Sequence, residues 1–317
     1  MSIDRWIDVA PVPWSGRVDG EGPEYLRWHQ AVRPIGTTTE DRACVLVGFA
    51  SDEGVRRNKG RIGAAQGPTA LRKALAPLAL PEPMGVADAG DITVHGGDVE
   101  GSQRALGNVV AELLHRGRFV VVLGGGHEVA YGSYLGLRSH YTEASIGVLN
   151  VDAHFDLRAT DIPSSGTAFR QMLEAEAADR LRYAVVGISQ PSNSTRLFRA
   201  AADFAVRYLM DDDCGIGNRS AVTEFVDYFV GSVDVVHLSI DLDVLPAAIA
   251  PGVSAPAAFG VPVEIVQAVC DRVAASGKLA LVDIAELNPD FDIDARTARV
   301  GARLIHRIVC GRRGIGE

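Results

Sequence analysis

Two short stretches carry metal-binding side-chain types at a spacing of two: VDAHFD, with Asp152, His154 and Asp156, and IDLDV, with Asp241 and Asp243. Carboxylates and imidazoles hold divalent ions, and on an extended backbone alternate residues share one side, so each stretch points its candidate ligands one way. Both follow directly on an apolar run. A third apolar run, FVVVL, is followed by GGGHE, in which Gly124 to Gly126 turn the chain and deliver His127 at the start of the next helix. Taken singly, each signal has a plainer reading. His127 would serve as a helix cap or a packed ring, and either aspartate group as a solvated loop edge. The triple glycine lacks the G-K-[ST] of a phosphate-binding loop.

Together, His127, Asp152, His154, Asp156, Asp241 and Asp243 are two imidazoles and four carboxylates. Unpaired carboxylates crowded at one place repel, so a cation is needed to neutralise them. Six ligands rich in oxygen exceed one tetrahedral zinc and suit manganese or another hard divalent ion. Sharing two of the aspartates would give a two-metal site with ions about 3.5–4 Å apart.

The elements that must position these residues are six β-branched apolar runs, beginning at Ala43, Arg118, Ser145, Arg182, Val233 and Lys278. Near-continuous apolar runs indicate strands buried on both faces, as in a parallel sheet. Helical patterns lie between them: a stretch with Pro68 near its first turn, Gly101 to His115, the segment after His127, and one from Pro262 to Gly277. Strand then helix, repeated, predicts an α/β sheet covered on both sides, whose ligands bind beyond the carboxyl ends of the strands.

The chain of 317 residues, 47% hydrophobic and 22% charged, is expected to form one domain over 1–317, with residues 1–40 an irregular arm packed on it. A net charge of −9 without a basic stripe argues against nucleic acid. No apolar run of about 18 residues is present, and Met1 to Trp14 lacks the pattern of a signal peptide, so no membrane contact and a cytoplasmic location are expected. Cys44, Cys214, Cys270 and Cys310 are scattered without a C-x-x-C pair and read as structural thiols.

The motifs GGGHE, NVDAHFD, SIDLDVLPAAIAPGVSAPAAFG and DIAELNPDFD resemble, in order, the signature regions of the ureohydrolases, the arginase and agmatinase family, over about residues 43–308. The resemblance implies a three-layer α/β/α sandwich around a mostly parallel sheet of about eight strands. It also implies a two-manganese (Mn2+) centre that hydrolyses guanidino or amidino carbon–nitrogen bonds, and a homo-oligomer. One ion would take His127, Asp152, Asp156 and Asp241, the other Asp152, His154, Asp241 and Asp243, with Asp152 and Asp241 bridging. Glu286 matches the family carboxylate that holds the cationic amidine.

Three details point away from arginase and agmatinase, towards a formimino group carried on a dicarboxylic amino acid. Gly126 and Glu128 stand where those enzymes usually have aspartate and serine. In SSGTAF, Phe169 is read at the position of a proton-shuttling histidine, which leaves Asp156 as the expected acid for the leaving nitrogen. Arg158 replaces a neutral amide and can grip a carboxylate bidentately. Ser165 and, from the basic loop Arg56 to Arg61, Arg57 and Asn58 are expected at the small-molecule substrate; a solvated loop is an equal reading of that run. Leu245 departs from the family's usual Asp before Pro246, which bears on the substrate-side loop. Another guanidino or amidino hydrolase, such as a guanidinobutyrase, is the rival reading, and a non-catalytic metal-stabilised binding protein a more distant one.

Overall fold

The apolar runs form the interior of a single sheet in a computed structural model that describes residues 3–35 and 44–315. Ala43 of the first run and residues 36–40 of the arm lie outside the described residues. The strands are β1 (Val32–Pro34), β2 (Cys44–Ala50), β3 (Val86–Thr93), β4 (Phe119–Leu123), β5 (Ile146–Val151), β6 (Leu181–Ile188), β7 (Arg207–Met210), β8 (Val235–Asp241) and β9 (Leu279–Ala285). Every strand pairing is parallel, in the order β1-β3-β2-β4-β9-β8-β5-β6-β7.

Six of these strands are the six apolar runs; β1, β3 and β7 are additional, one more than the eight that the resemblance implies. Each has a physical reason for escaping a pattern of buried apolar residues. β1 has three residues and lies within the arm expected to be irregular, and β7 has four, exposed or half-buried, at the other edge. β3 reads VADAGDIT, its apolar run broken by Asp88 and Asp91. Both carboxylates are paired with Arg72, at 2.8 and 2.5 Å, and the Trp14 indole donates to Asp88 at 2.9 Å, fastening the arm to the sheet.

Two short helices, α1 (Trp28–Ala31) and α2 (Glu53–Arg57), precede α3 (Gly67–Leu75), α4 (Val99–His115), α5 (Val129–His140) and α6 (Ala168–Ala175). The chain continues with α7 (Thr195–Asp203), α8 (Arg219–Gly231), α9 (Val263–Ala274) and α10 (Arg296–Gly311). One face of the sheet packs on α3, α8, α9 and α10 around Leu71, Val226, Val269 and Ile305; the other packs on α4 to α7 around Leu106, Leu137, Phe169 and Leu197. The result is the three-layer α/β/α sandwich. After β4 the chain passes to β5, leaving a gap that β9 and β8 fill, and at such a reversal the loops part to make a crevice.

Candidate active site

Five adjacent strands, β2, β4, β9, β8 and β5, end at that crevice and deliver its side chains. β4 leads to His127 just ahead of α5, β5 to Asp152, β8 ends on Asp241, and Glu286 follows β9 directly. The spacing of two has a different origin from the extended backbone inferred above. Asp152 Oδ1 accepts from the backbone N–H of His154 at 2.6 Å, and Asp241 Oδ1 accepts from that of Asp243 at 2.8 Å. Each aspartate thus folds its own loop into an Asx turn and fixes its other oxygen. Asp156 and Glu286 sit at φ of +50° and +66°, left-handed conformations that are costly for such residues and cluster at functional sites.

The structure brings all six candidate ligands together. His127 Nδ1 lies 3.2 Å from Asp152 Oδ2, 3.3 Å from Asp156 Oδ2 and 3.0 Å from Asp241 Oδ2. His154 Nδ1 lies 3.4 Å from Asp152 Oδ1 and 3.1 Å from Asp243 Oδ2. Two overlapping groups result, His127–Asp152–Asp156 and Asp152–His154–Asp243, in which Asp152 offers one oxygen to each.

These residues fit a pair of divalent ions on three grounds. His127 Nδ1 and Asp243 Oδ1 are buried without a hydrogen-bond partner among the described residues, although three carboxylate oxygens surround the nitrogen. Donor atoms about 2.1 Å from one octahedral ion lie about 3 Å from each other, the spacing seen here. Burial, with Asp243 and Asp152 close by, pushes Asp241 well above the usual carboxylate range, and burial raises Asp243 and Asp156 too. Without a cation the cluster cannot hold all its negative charge. Burial works against charge on Asp152 as well, but the His127 and His154 imidazoles beside it outweigh it and hold that carboxyl low.

Glu286 closes the cluster from β9: its Oε1 accepts from the His127 backbone N–H at 2.9 Å. Burial and the Asp243 charge push it up to about 8. Glu128, one residue after His127, turns away from the cavity. Its Oε1 accepts from Ser51 Oγ at 2.7 Å and from the Gly54 N–H at 2.9 Å, anchoring the start of α2. A Cβ at position 126 would lie 2.2 Å from Glu128 Oε2 and 2.5 Å from Val55 Cγ2, so the glycine and the glutamate of GGGHE belong together.

Above the cluster opens a cavity of about 330 Å3, lined at its base by His154, Asp156, Asp241, Asp243 and Glu286, on its wall by Asn58 and the buried Ser165, and at its rim by the exposed Lys59 and Arg158. Asn58 Nδ2 donates to Ser165 Oγ at 3.2 Å, joining α2's loop to the segment before α6. The Arg158 stem packs over Gly166, where a Cβ would meet its Cδ at 2.8 Å. The exposed guanidinium has no hydrogen bond or ion pair to the described residues, and Lys59, held at φ +64°, is likewise unpaired.

Two expected positions differ. Arg57 does not line this cavity: its guanidinium is taken up by Glu100 at 2.9 Å, Glu53 at 3.1 Å and the carbonyls of Pro163 and Gly97. The acidic residues on α2 and α4 claim it, which loop composition alone does not disclose. Phe169 also lies away from the cavity, fully buried, edge-on to the His127 ring at 5.1 Å and stacked on Tyr183 at 4.6 Å. The residue of SSGTAF that faces the cavity is Ser165, four positions earlier.

Sequence reasoning missed the supports beneath. Asn150, fully buried within β5, donates from Nδ2 to Asp152 Oδ2 at 2.9 Å and to the Tyr183 hydroxyl at 3.1 Å. His237, Ser239 and Asp283 are equally buried in β8 and β9. The available signal was the polar residues that interrupt otherwise apolar runs, Asn150 in β5, Asp283 in β9 and both His237 and Ser239 in β8.

A parallel α/β sandwich with this constellation at its switch point defines a class of hydrolases, and a model of the arginase family matches residues 42–311: the chain belongs to the arginase family. Its relatives within the family are more particular. It is 62% identical to the formimidoylglutamase of Rhodococcus jostii, over 96% of this chain and 97% of that one, and 50% identical to that of Ralstonia nicotianae, over 96% of each. A crystal structure of Trypanosoma cruzi formiminoglutamase with Mn2+ superposes with a TM-score of 0.78 at 28% identity, covering 88% of this chain and 97% of that one.

Proposed function

We propose that this chain is a formimidoylglutamase, a hydrolase that cleaves N-formimidoyl-L-glutamate to L-glutamate and formamide. The observation that carries the reading is the polarity of the cavity: carboxylates at its base, with Arg158 and Lys59, cations unpaired among the described residues, at its rim. A substrate with a cationic amidine at one end and two carboxylates at the other fits that gradient, whereas the cationic tail of agmatine would meet like charge. The identity to formimidoylglutamases over nearly the whole chain supports it.

In this reading His127, Asp152, Asp156 and Asp241 would hold one ion, and Asp152, His154, Asp241 and Asp243 the other, with Asp152 and Asp241 common to both sets. Two divalent ions there, manganese by our assignment, would neutralise the carboxylates and make water acidic enough to attack at neutral pH. Glu286 accepts from the amidinium N–H groups and aims the formimino carbon at the base of the cavity, its own orientation fixed by the His127 N–H. Asp156, on the cavity wall, takes the proton of the attacking water and hands it to the glutamate nitrogen as that carbon–nitrogen bond breaks. Arg158 holds a substrate carboxylate, with Lys59, Asn58 and Ser165 beside it. Water adds to the carbon, the proton goes to the departing amine, and formamide and glutamate balance the reaction.

Among the described residues no helix is long and apolar enough to cross a membrane. We place the protein in the cytoplasm, where its four free cysteines would stay reduced. The product pair tests the reaction. Equal amounts of formamide and glutamate support it; ammonia with N-formyl-glutamate would mean that the other carbon–nitrogen bond breaks and would overturn the assignment of the proton to the glutamate nitrogen.

A further inference from the structure

Directly beneath the cluster four buried polar side chains stand in series. His127 Nε2 lies 2.9 Å from Ser239 Oγ, Ser239 Oγ donates to Asp283 Oδ1 at 2.5 Å, and Asp283 Oδ2 faces His237 Nε2 at 2.5 Å. His127 is 1% exposed and the other three 0%. Ser239 and Asp283 are register partners on β8 and β9, and His237 lies two residues before Ser239 on the same face of β8. Strand geometry therefore builds Ser239, Asp283 and His237 into one series, and the loop after β4 brings His127 onto it.

The order of donors fixes its polarity. A hydroxyl has one proton, and Ser239 gives it to Asp283; its oxygen is then an acceptor for the His127 Nε2–H. His127 is left with a bare lone pair on Nδ1, the atom that faces Asp152, Asp156 and Asp241 and donates to none of the described residues. A lone pair aimed at three carboxylate oxygens is repulsive unless a cation lies between them.

We propose that Ser239 and Asp283, backed by His237, are positioning residues that set the tautomer and ring orientation of His127 for metal binding, with Asp283 raising its basicity through the serine hydroxyl. The proposal rests on the reading of His127 as a ligand. Partners behind a ligating histidine ordinarily change metal affinity by about 10–100-fold when removed. The effect should be one-sided, because the relay touches His127 and not His154.

The test compares Ser239→Ala, Asp283→Asn and Ser239→Thr with the parent, by Mn2+ binding isotherm, by electron paramagnetic resonance of the bound Mn2+ and by melting temperature without metal. The parent should bind two ions showing exchange coupling. Ser239→Ala should weaken one ion by about 10–100-fold, leave the other near its parental affinity and replace the coupled spectrum with that of an isolated ion. Asp283→Asn, which keeps an acceptor for the hydroxyl but loses the charge, should fall between, and Ser239→Thr should restore binding. Parental binding of both ions in Ser239→Ala and Asp283→Asn would overturn the relay. So would equal weakening of both ions in all three variants together with a lowered metal-free melting temperature, which is the mark of a purely structural role. A parent that binds no Mn2+ would remove the reading on which the relay rests.

Discussion

The backbone N–H of His127 donates to Oε1 of Glu286 across 2.9 Å, joining the loop after β4 to the end of β9. The Glu286 N–H donates in turn to the Gly125 carbonyl at 2.8 Å, so the residue assigned to the amidine cannot shift without moving the residue assigned to an ion. A substrate bound at Glu286 is thereby registered against the cluster by backbone hydrogen bonds.

Glu286→Gln keeps an acceptor for His127 N–H and removes the charge that faces the amidinium. Its kcat/KM should fall by about 100-fold or more, in line with a loss of about 3 kcal/mol for an unpaired buried charge, while the bound metal content stays at the parental level. Steady-state kinetics with metal analysis on the same sample checks both halves; loss of metal would assign Glu286 to the cluster instead.

Glu128→Ala would leave the Gly54 N–H and the Ser51 hydroxyl without their buried acceptor and should cost about 1–3 kcal/mol. Gly126→Ala should cost about as much, because the new methyl meets Glu128 Oε2 and Val55. The two changes share one contact, so the double variant should be less destabilised than the sum. Denaturant titration of the four proteins reads the coupling, and strict additivity would contradict it.

Asp156 and Arg158 should separate kinetically. Asp156→Asn is expected to lower kcat by about 100-fold or more with little change in KM, as for a group that moves a proton. Arg158→Ala is expected to raise KM with kcat little changed, as for a contact made equally in ground and transition state. Saturation curves for both variants test the division of labour, and the opposite pattern would exchange the roles.

Chelation should lower thermal stability, because the buried carboxylates of Asp241 and Asp243 then face each other without a counter-charge. Ion binding to the folded state alone contributes about 2.7 kcal/mol at a free concentration one hundred times Kd. A melting temperature that climbs with added Mn2+ is expected; one indifferent to it would contradict a metal centre.

The meeting of His127, Asp152, His154, Asp156, Asp241, Asp243 and Glu286 was legible because each follows a strand whose β-branched apolar run is hard to mistake, and parallel strands carry their carboxyl ends to one edge. The strands that were not legible owe their form to neighbours: β3 exists because Arg72 neutralises Asp88 and Asp91, and β7 because β6 offers it a free edge. The same holds for side chains. Arg57 is diverted by Glu53 and Glu100, and Phe169 and Ser165 are distinguished only by which way the turn before α6 faces. Asn150, Ser239 and Asp283 were visible only as polar interruptions, whose meaning depends on the partner strand.

The most direct test of the account is a comparison of kcat/KM for N-formimidoyl-L-glutamate, arginine, agmatine and guanidinobutyrate on one preparation of manganese-loaded protein. Turnover of the first to formamide and glutamate, with the others lower by orders of magnitude, is the result predicted from a cavity with carboxylates below and Arg158 and Lys59 above. Urea released from any of the other three at a comparable rate would contradict it.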